Sequence, residues 1–227
     1  MGKRLEWMQS KAEIARRLES GECGGEYGEA ILILGAAISA LAAERWPGRR
    51  IDKPRFIQLL VDSQPDVATT VSGPLLVKVL EQQGKLAEAQ QLRLLAGIST
   101  MSVVLDYRVD ITERKLIAAV QGLSLENVRD CSYAAIIYGE LRSAYAHEFG
   151  PGRRVESYPM SFSNEKTISY LNRLDDQGKS ERIMHIPIGV VSEIALNAAA
   201  YCDGSDEREE QVAIPQPWWI SIKSSSA

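Results

Sequence analysis

Leu5, Met8, Ala12, Ala15 and Leu18 recur at intervals of three and four with charged residues between them, so residues 4–19 predict an amphipathic helix. Gly21 to Gly25 breaks it. Residues 26–45 predict a second helix with Ile31, Leu34, Ile38 and Leu41 on one side, rich in alanine and therefore open to close approach by another helix. Trp46-Pro47-Gly48 ends it. Asp52 as N-cap and Pro54 in the first turn then open a short helix through Phe56, Leu59 and Leu60. Residues 64–73 read as a connecting loop, and 74–95 as two helical pieces parted at Gly84, a surface hairpin over a bundle. Residues 102–107 form a short apolar run, a strand or a buried loop. Asp110 with Glu113 makes a capping-box pattern for a short helix through Leu116, Ile117 and Val120.

The longest periodic stretch follows. From Ser124 as N-cap, Val128, Cys131, Ala135, Tyr138, Leu141, Tyr145 and Phe149 describe one face of a continuous helix that Gly150-Pro151-Gly152 stops. Residues 168–174 and 182–188 alternate around Asp175-Asp176-Gln177-Gly178, a β-hairpin, and residues 190–201 predict a last helix with Ile194, Ala195 and Ala198 on one side. Residues 203–211 are acidic and polar, with the composition of a flexible segment. The adjacent Trp218 and Trp219 either dock back on the bundle or form a partner-binding peptide. The fold class is mainly α: an antiparallel helical bundle with a small β-hairpin near the C-terminus. Residues 1–202 make one helical domain, with 64–123 an ordinary insertion or a partner-specific surface, and 203–227 an acidic and then tryptophan-containing tail.

Composition narrows the choice of partner. At 227 residues, 45% hydrophobic and 25% charged, the chain suits an ordinary globular domain. A net charge of -4 offers no long nucleic-acid track, so any RNA contact has to be local. Cys23, Cys131 and Cys202 are an odd number without a CxxC pair, which argues for buried or incidental thiols and against a disulfide framework or a zinc site. The charged N-terminus lacks a signal-like core, and the apolar run 30–43 is shorter than the roughly 18 residues of a membrane span. The expectation is a cytoplasmic protein with no membrane role.

The end of the long helix concentrates the chemistry. Arg142 and His147 flank the apolar stripe, and five residues on a regular helix mean a rotation of roughly 140° and a rise of about 7.5 Å. Either the last turn is distorted, or the two groups meet across a two-fold interface. Arginine holds phosphate as a permanently charged fork, and imidazole moves protons near neutrality. With RNA the neighbouring 2'-hydroxyl is the nucleophile, so no metal and no cofactor is called for. Ser143 and Glu140 precede His147 by four and seven residues and share its face, where either could orient the ring. Arg153 and Arg154 read as phosphate contacts or, equally, as a charged loop. The Arg49-Arg50 pair reads as a solvated loop and Glu29 as a remote candidate. His185, in the second hairpin strand, reads as a surface or structural histidine, Tyr145 as core or dimer packing, and Trp7 and Trp46 as bundle anchors.

The alanine-rich helix from Glu26, the Trp46-Pro47-Gly48 turn with Arg55-Phe56-Ile57 after it, and the Leu141 to Phe149 stretch, with four residues between Arg142 and His147, resemble the HEPN domain (higher eukaryotes and prokaryotes nucleotide-binding). The resemblance spans roughly residues 1–202. It implies a helical bundle, commonly dimeric, and in many members a metal-independent endoribonuclease of toxin-antitoxin or phage-defence systems. Arg142 and His147 would then be the catalytic pair, donated by both protomers, with RNA as substrate and an antitoxin or defence-system protein as a further partner. Ser143 stands where active members often have Asn, Asp or His; its hydroxyl retains hydrogen-bonding capacity. Phe149 stands where the subset paired with nucleotidyltransferase antitoxins has Tyr, and it cannot accept an AMP. The alternative is a catalytically silent HEPN-like module that dimerises and binds a nucleotide, RNA or protein.

Overall fold

The computed structural model describes residues 2–99, 102–156, 167–174 and 180–205. It is mainly helical with small antiparallel sheets. Four helices form its centre: α1 (Lys3–Glu19), α2 (Tyr27–Arg45), α3 (Asp52–Ser63) and α11 (Ile188–Ser205), with α2 packed against the other three. Between α3 and α11 lie α4 (Pro65–Ala68), β1 (Thr70–Val71), α5 (Gly73–Gln82), α6 (Leu86–Ala96), β2 (Val104–Asp106), β3 (Ile111–Thr112) and α7 (Glu113–Ala119). After these come α8 (Leu125–Asp130), α9 (Tyr133–Ile136), a π-helical segment (Ile137–Ser143), α10 (Ala144–Glu148), β4 (Ser169–Leu174) and β5 (Ser180–His185).

Helix α2 is apolar almost all round, the pattern of a helix enclosed by neighbours. Ile31, Leu34 and Ile38 are fully buried in it, each contributing about 1.5–3 kcal/mol relative to exposure. Among the described helices it alone is long and apolar enough to cross a membrane by length and composition, and half of that apolar window is buried against the rest of the fold. Glu26 and Glu29 close a reciprocal capping box at its start, so Glu29 serves the helix end. Asp52, expected as the cap of α3, is its first helical residue and pairs with Arg55; Ile51 is the cap. Trp46 anchors the bundle as expected, whereas Trp7 is 39% exposed under the Lys11 ammonium.

Residues 64–73, expected as a loop, contain α4 and β1. The 74–95 region, expected as a surface arm, divides: α5 is part of the core, with Leu75, Leu76, Val77 and Leu80 buried in the same cluster as α2, whereas α6 buries Ala89 and Leu92 there and leaves Leu86, Leu94 and Leu95 exposed. The hairpin is present, Tyr170 opposite Met184 and Leu171 opposite Ile183, and β2 adds a third antiparallel strand on the β4 side. Asp203, assigned above to a flexible tail, lies in the last turn of α11 and accepts hydrogen bonds from the Arg4 and Leu5 amides at 3.2 and 2.9 Å, satisfying free donors at the start of α1. Trp218 and Trp219, and with them residues 206–227, lie outside the described residues.

The capping box expected at Asp110 is not formed. Thr112 caps α7 without a side-chain bond, and Asp110 turns inward. Its carboxylate accepts from the Gly73 amide at 3.0 Å, from Tyr133 Oη at 2.5 Å and from Tyr170 Oη at 2.7 Å. Ser72 Oγ lies 2.9 Å from Tyr170 Oη and accepts from the Leu75 amide at 3.3 Å. Burial outweighs these donors and raises the Asp110 carboxyl to about 7. Between pH 4 and 7 the folded chain therefore holds a proton that the unfolded chain has lost, and this group costs stability progressively as pH rises through that window. Asp110→Asn should flatten that decline: urea midpoints measured from pH 4.5 to 8 should fall less for the variant than for the native protein, and parallel curves would refute the assignment.

Candidate functional site

The helix predicted over residues 124–149 is four pieces. It breaks at Cys131 and Ser132, because the buried Ser132 hydroxyl donates to Arg129 O at 2.7 Å and accepts from the Ala135 amide at 3.3 Å. Ser132 thus acts as a second N-cap inside the apolar repeat. Ser124 holds the cap position of α8 with extended backbone but no side-chain bond. The π segment then widens the turn around Glu140, Arg142 and Ser143. The distortion precedes the last turn: α10, which carries His147, is regular α-helix. Phe149 ends α10 in left-handed conformation, φ 58°, and is 91% exposed rather than on the buried stripe.

Two glycines of α2 let this helix come close. A Cβ on Gly28 would stand 2.7 Å from the Tyr145 ring, and one on Gly35 would stand 2.9 Å from Arg142 Cγ. Tyr145 is accordingly core, as expected. Arg142 lies along Gly35 with Nε donating to Ser39 Oγ at 3.2 Å and its guanidinium carbon 5.5 Å from the Tyr138 ring centre. It is half-buried, its direction fixed by α2 and by its own helix. His147, one turn further on, is exposed, and neither it nor the half-buried Ser143 makes a side-chain hydrogen bond or ion pair among the described residues.

Glu140 and Arg154 are engaged with each other. Glu140 accepts from Arg154 Nε at 2.6 Å and from the Arg154 amide at 3.1 Å, and Arg154 Nη1 donates to Asp130 O at 3.1 Å. Gly152 N donates to Glu140 O at 2.8 Å. A Cβ on Gly152 would fall 2.1 Å from the Glu140 carboxylate, so only glycine lets the chain turn back here. This clamp occupies the carboxylate expected to orient His147 and the guanidinium expected to meet phosphate. Arg153, beside it, is exposed and lines a groove on the α5–β5 side.

His185 is a structural histidine: buried, with Nδ1 3.1 Å from Glu156 O, its ring beside Tyr27, and its pKa lowered by desolvation. Cys131 and Cys202 are buried and Cys23 is exposed, and none of the three is in a disulfide; burial raises Cys131 to about 12. Among the described residues no group of three or more His, Cys, Asp or Glu is placed to hold a metal.

Sequence reasoning located Arg142 and His147 but missed Gly28, Gly35 and Ser39. The two glycines are seven residues apart, two turns on one face of α2, which is the signal that could have found them. Comparison of the chain with family models, with curated proteins and with solved structures finds no match.

The clamp is separable from the exposed histidine. Glu140→Gln should lower stability by about 1.5–3 kcal/mol, the worth of hydrogen bonds to a charged group, and should do much less harm in an Arg154→Met background. Additive losses in a double-mutant cycle of chemical denaturation would show that the two do not act as a pair.

Proposed function

We propose that the chain is a metal-independent endoribonuclease of the HEPN type, a cytoplasmic toxin or defence effector that acts as a homodimer through Arg142 and His147. The observation that carries this reading is the contrast between the two residues: Arg142 is held in one direction by Ser39 and Tyr138, while His147 stands free on the same helix end. A fixed cation and an unencumbered imidazole are what in-line cleavage of RNA needs. The arginine holds the phosphoryl oxygens. One imidazole takes the proton of the 2'-hydroxyl as its oxygen attacks phosphorus, and a second, from the other protomer, gives a proton to the departing 5'-oxygen. The products are a 2',3'-cyclic phosphate and a free 5'-hydroxyl, with the proton count unchanged.

A second copy is supported by what α2 leaves uncovered. Leu32, Ala36 and Ala40 are exposed one step around that helix from Gly35 and Ser39, and Phe149 is exposed at the end of α10. Apolar side chains flanking a catalytic arginine are suited to a self-complementary contact, which would bring two Arg142/His147 ends together. The free Ser143 hydroxyl remains available to hydrogen-bond within such a cleft.

The test is cleavage of a mixed pool of structured and unstructured RNAs in EDTA. Native protein should cut and leave cyclic phosphate ends, Arg142→Ala and His147→Ala should each lose at least about 100-fold in rate, and Ala36→Glu should produce a folded monomer with the same defect. Inert native protein would replace this reading by that of a binding module, and equal cutting by all variants would place the chemistry elsewhere.

A further inference from the structure

Arg153 faces a groove of about 850 Å³ between the α5–α6 pair and the β4–β5 strands. Four more cations line it: Lys78 and Arg93 from the helices, Arg173 and Arg182 from the strands. Against these five stand two carboxylates, Glu81 and Glu181. With Glu156, which pairs with Arg173 just beside the lining, two positive charges remain in excess, on a chain whose net charge is -4.

The carboxylates are already taken. Glu81 pairs with Arg93 at 2.6 Å, and Glu181 pairs with Lys78 and lies 4.0 Å from Arg173, which also reaches Glu156 at 2.9 Å. Arg182 donates to the carbonyls of Val103, Ser99 and Ser102, which fix its plane without cancelling its charge. Three of its five N–H donors are used there, and the other two have no acceptor among the described residues. Its pKa is lowered by desolvation, the mark of a cation drawn partly out of water. Arg153 has no side-chain hydrogen bond or ion pair among the described residues.

A guanidinium oriented by backbone carbonyls, with a free arginine in the same groove, is an arrangement for a multiply charged oxyanion. The described lining holds no aromatic side chain on which a base could stack, so recognition falls on phosphate rather than on the base. We infer that this groove is a phosphate-ester site, distinct from the Arg142/His147 helix end, that takes either the backbone of an RNA strand or the polyphosphate of a nucleotide between Arg153, Arg173 and Arg182.

The proposal does not depend on the ribonuclease reading, and variants confined to the groove keep the two apart. A fluorescein-labelled 2'-O-methyl oligouridylate lacks the 2'-nucleophile and reports binding by anisotropy; UTP added as competitor separates strand from nucleotide. Native protein should bind the oligomer with an affinity that falls as salt rises. Arg153→Glu and, independently, Arg173→Ser should each weaken binding about tenfold and make the salt slope shallower by about 0.7, while Arg114→Ser, at an exposed cation of α7 outside the groove, should leave it within about twofold. Poor competition by UTP assigns the groove to a strand, and full competition at a matching concentration assigns it to a nucleotide. Unchanged binding in both groove variants, an equal loss in Arg114→Ser, or no binding of either probe by the native protein would overturn it.

Discussion

A carboxylate withdrawn from water must be given hydrogen-bond donors, and in this protein the donors come from the parts of the chain that would otherwise be free to drift. Asp110 takes the first amide of α5, the hydroxyl of Tyr133 at the start of α9 and the hydroxyl of Tyr170 in the central strand of the sheet. An unmet donor or acceptor at such depth costs on the order of 1–3 kcal/mol. The four segments are therefore held together by the cost of separating them, beyond the apolar area they share. Ser72 adds a second tie: its amide donates to Cys131 O at 2.9 Å, and the residue before it bridges to Ser132. The break in the long helix lies on this anchor.

From that fixed start, the helix bearing Arg142 has little freedom in direction. Its side is set by contact with α2 at Gly28 and Gly35, and its end by the Gly152 turn that brings Arg154 back to Glu140. The π segment lies between these restraints. A π turn is a poor way to satisfy backbone hydrogen bonds and is kept where the surroundings hold it. Here the surroundings are the Ser132 cap on one side and the Glu140–Arg154 clamp on the other. Arg142 is thus positioned by elements distant in sequence, and His147, beyond the clamp, is left exposed.

Periodicity made α1, α2, the division at Gly84, the hairpin and the last helix legible, because each is an uninterrupted run with a marked end. It failed at residues 124–149 for a definable reason. Val128, Cys131 and Ala135 keep spacings of three and four across the break, and all three are buried, so the apolar pattern does not register that the backbone has been interrupted. Only Ser132 betrays it, and a serine within a helical repeat has no unique reading. Asp110 failed in the opposite way. With Glu113 three residues on, it satisfied a local capping rule, yet the partners that decided its position, Tyr133 and Tyr170, lie 23 and 60 residues away. Local rules rank local competitors; they carry no information about a donor supplied by another element.

The same limit separates Arg153 from Arg154, adjacent residues that the sequence treats alike. Their difference arises from what each meets across the turn. Arg154 finds Glu140 and the Asp130 carbonyl, is partly desolvated, and is consumed in holding the chain. Arg153 leaves the backbone toward a groove whose carboxylates are already paired with other cations. The α5–α6 pair and the β4–β5 strands each contribute two cations to one groove, and the turn at Gly152 delivers the fifth. A single turn thereby splits an arginine pair between two tasks: one closes the helix that carries Arg142, and the other adds charge to a surface assembled from segments a hundred residues apart.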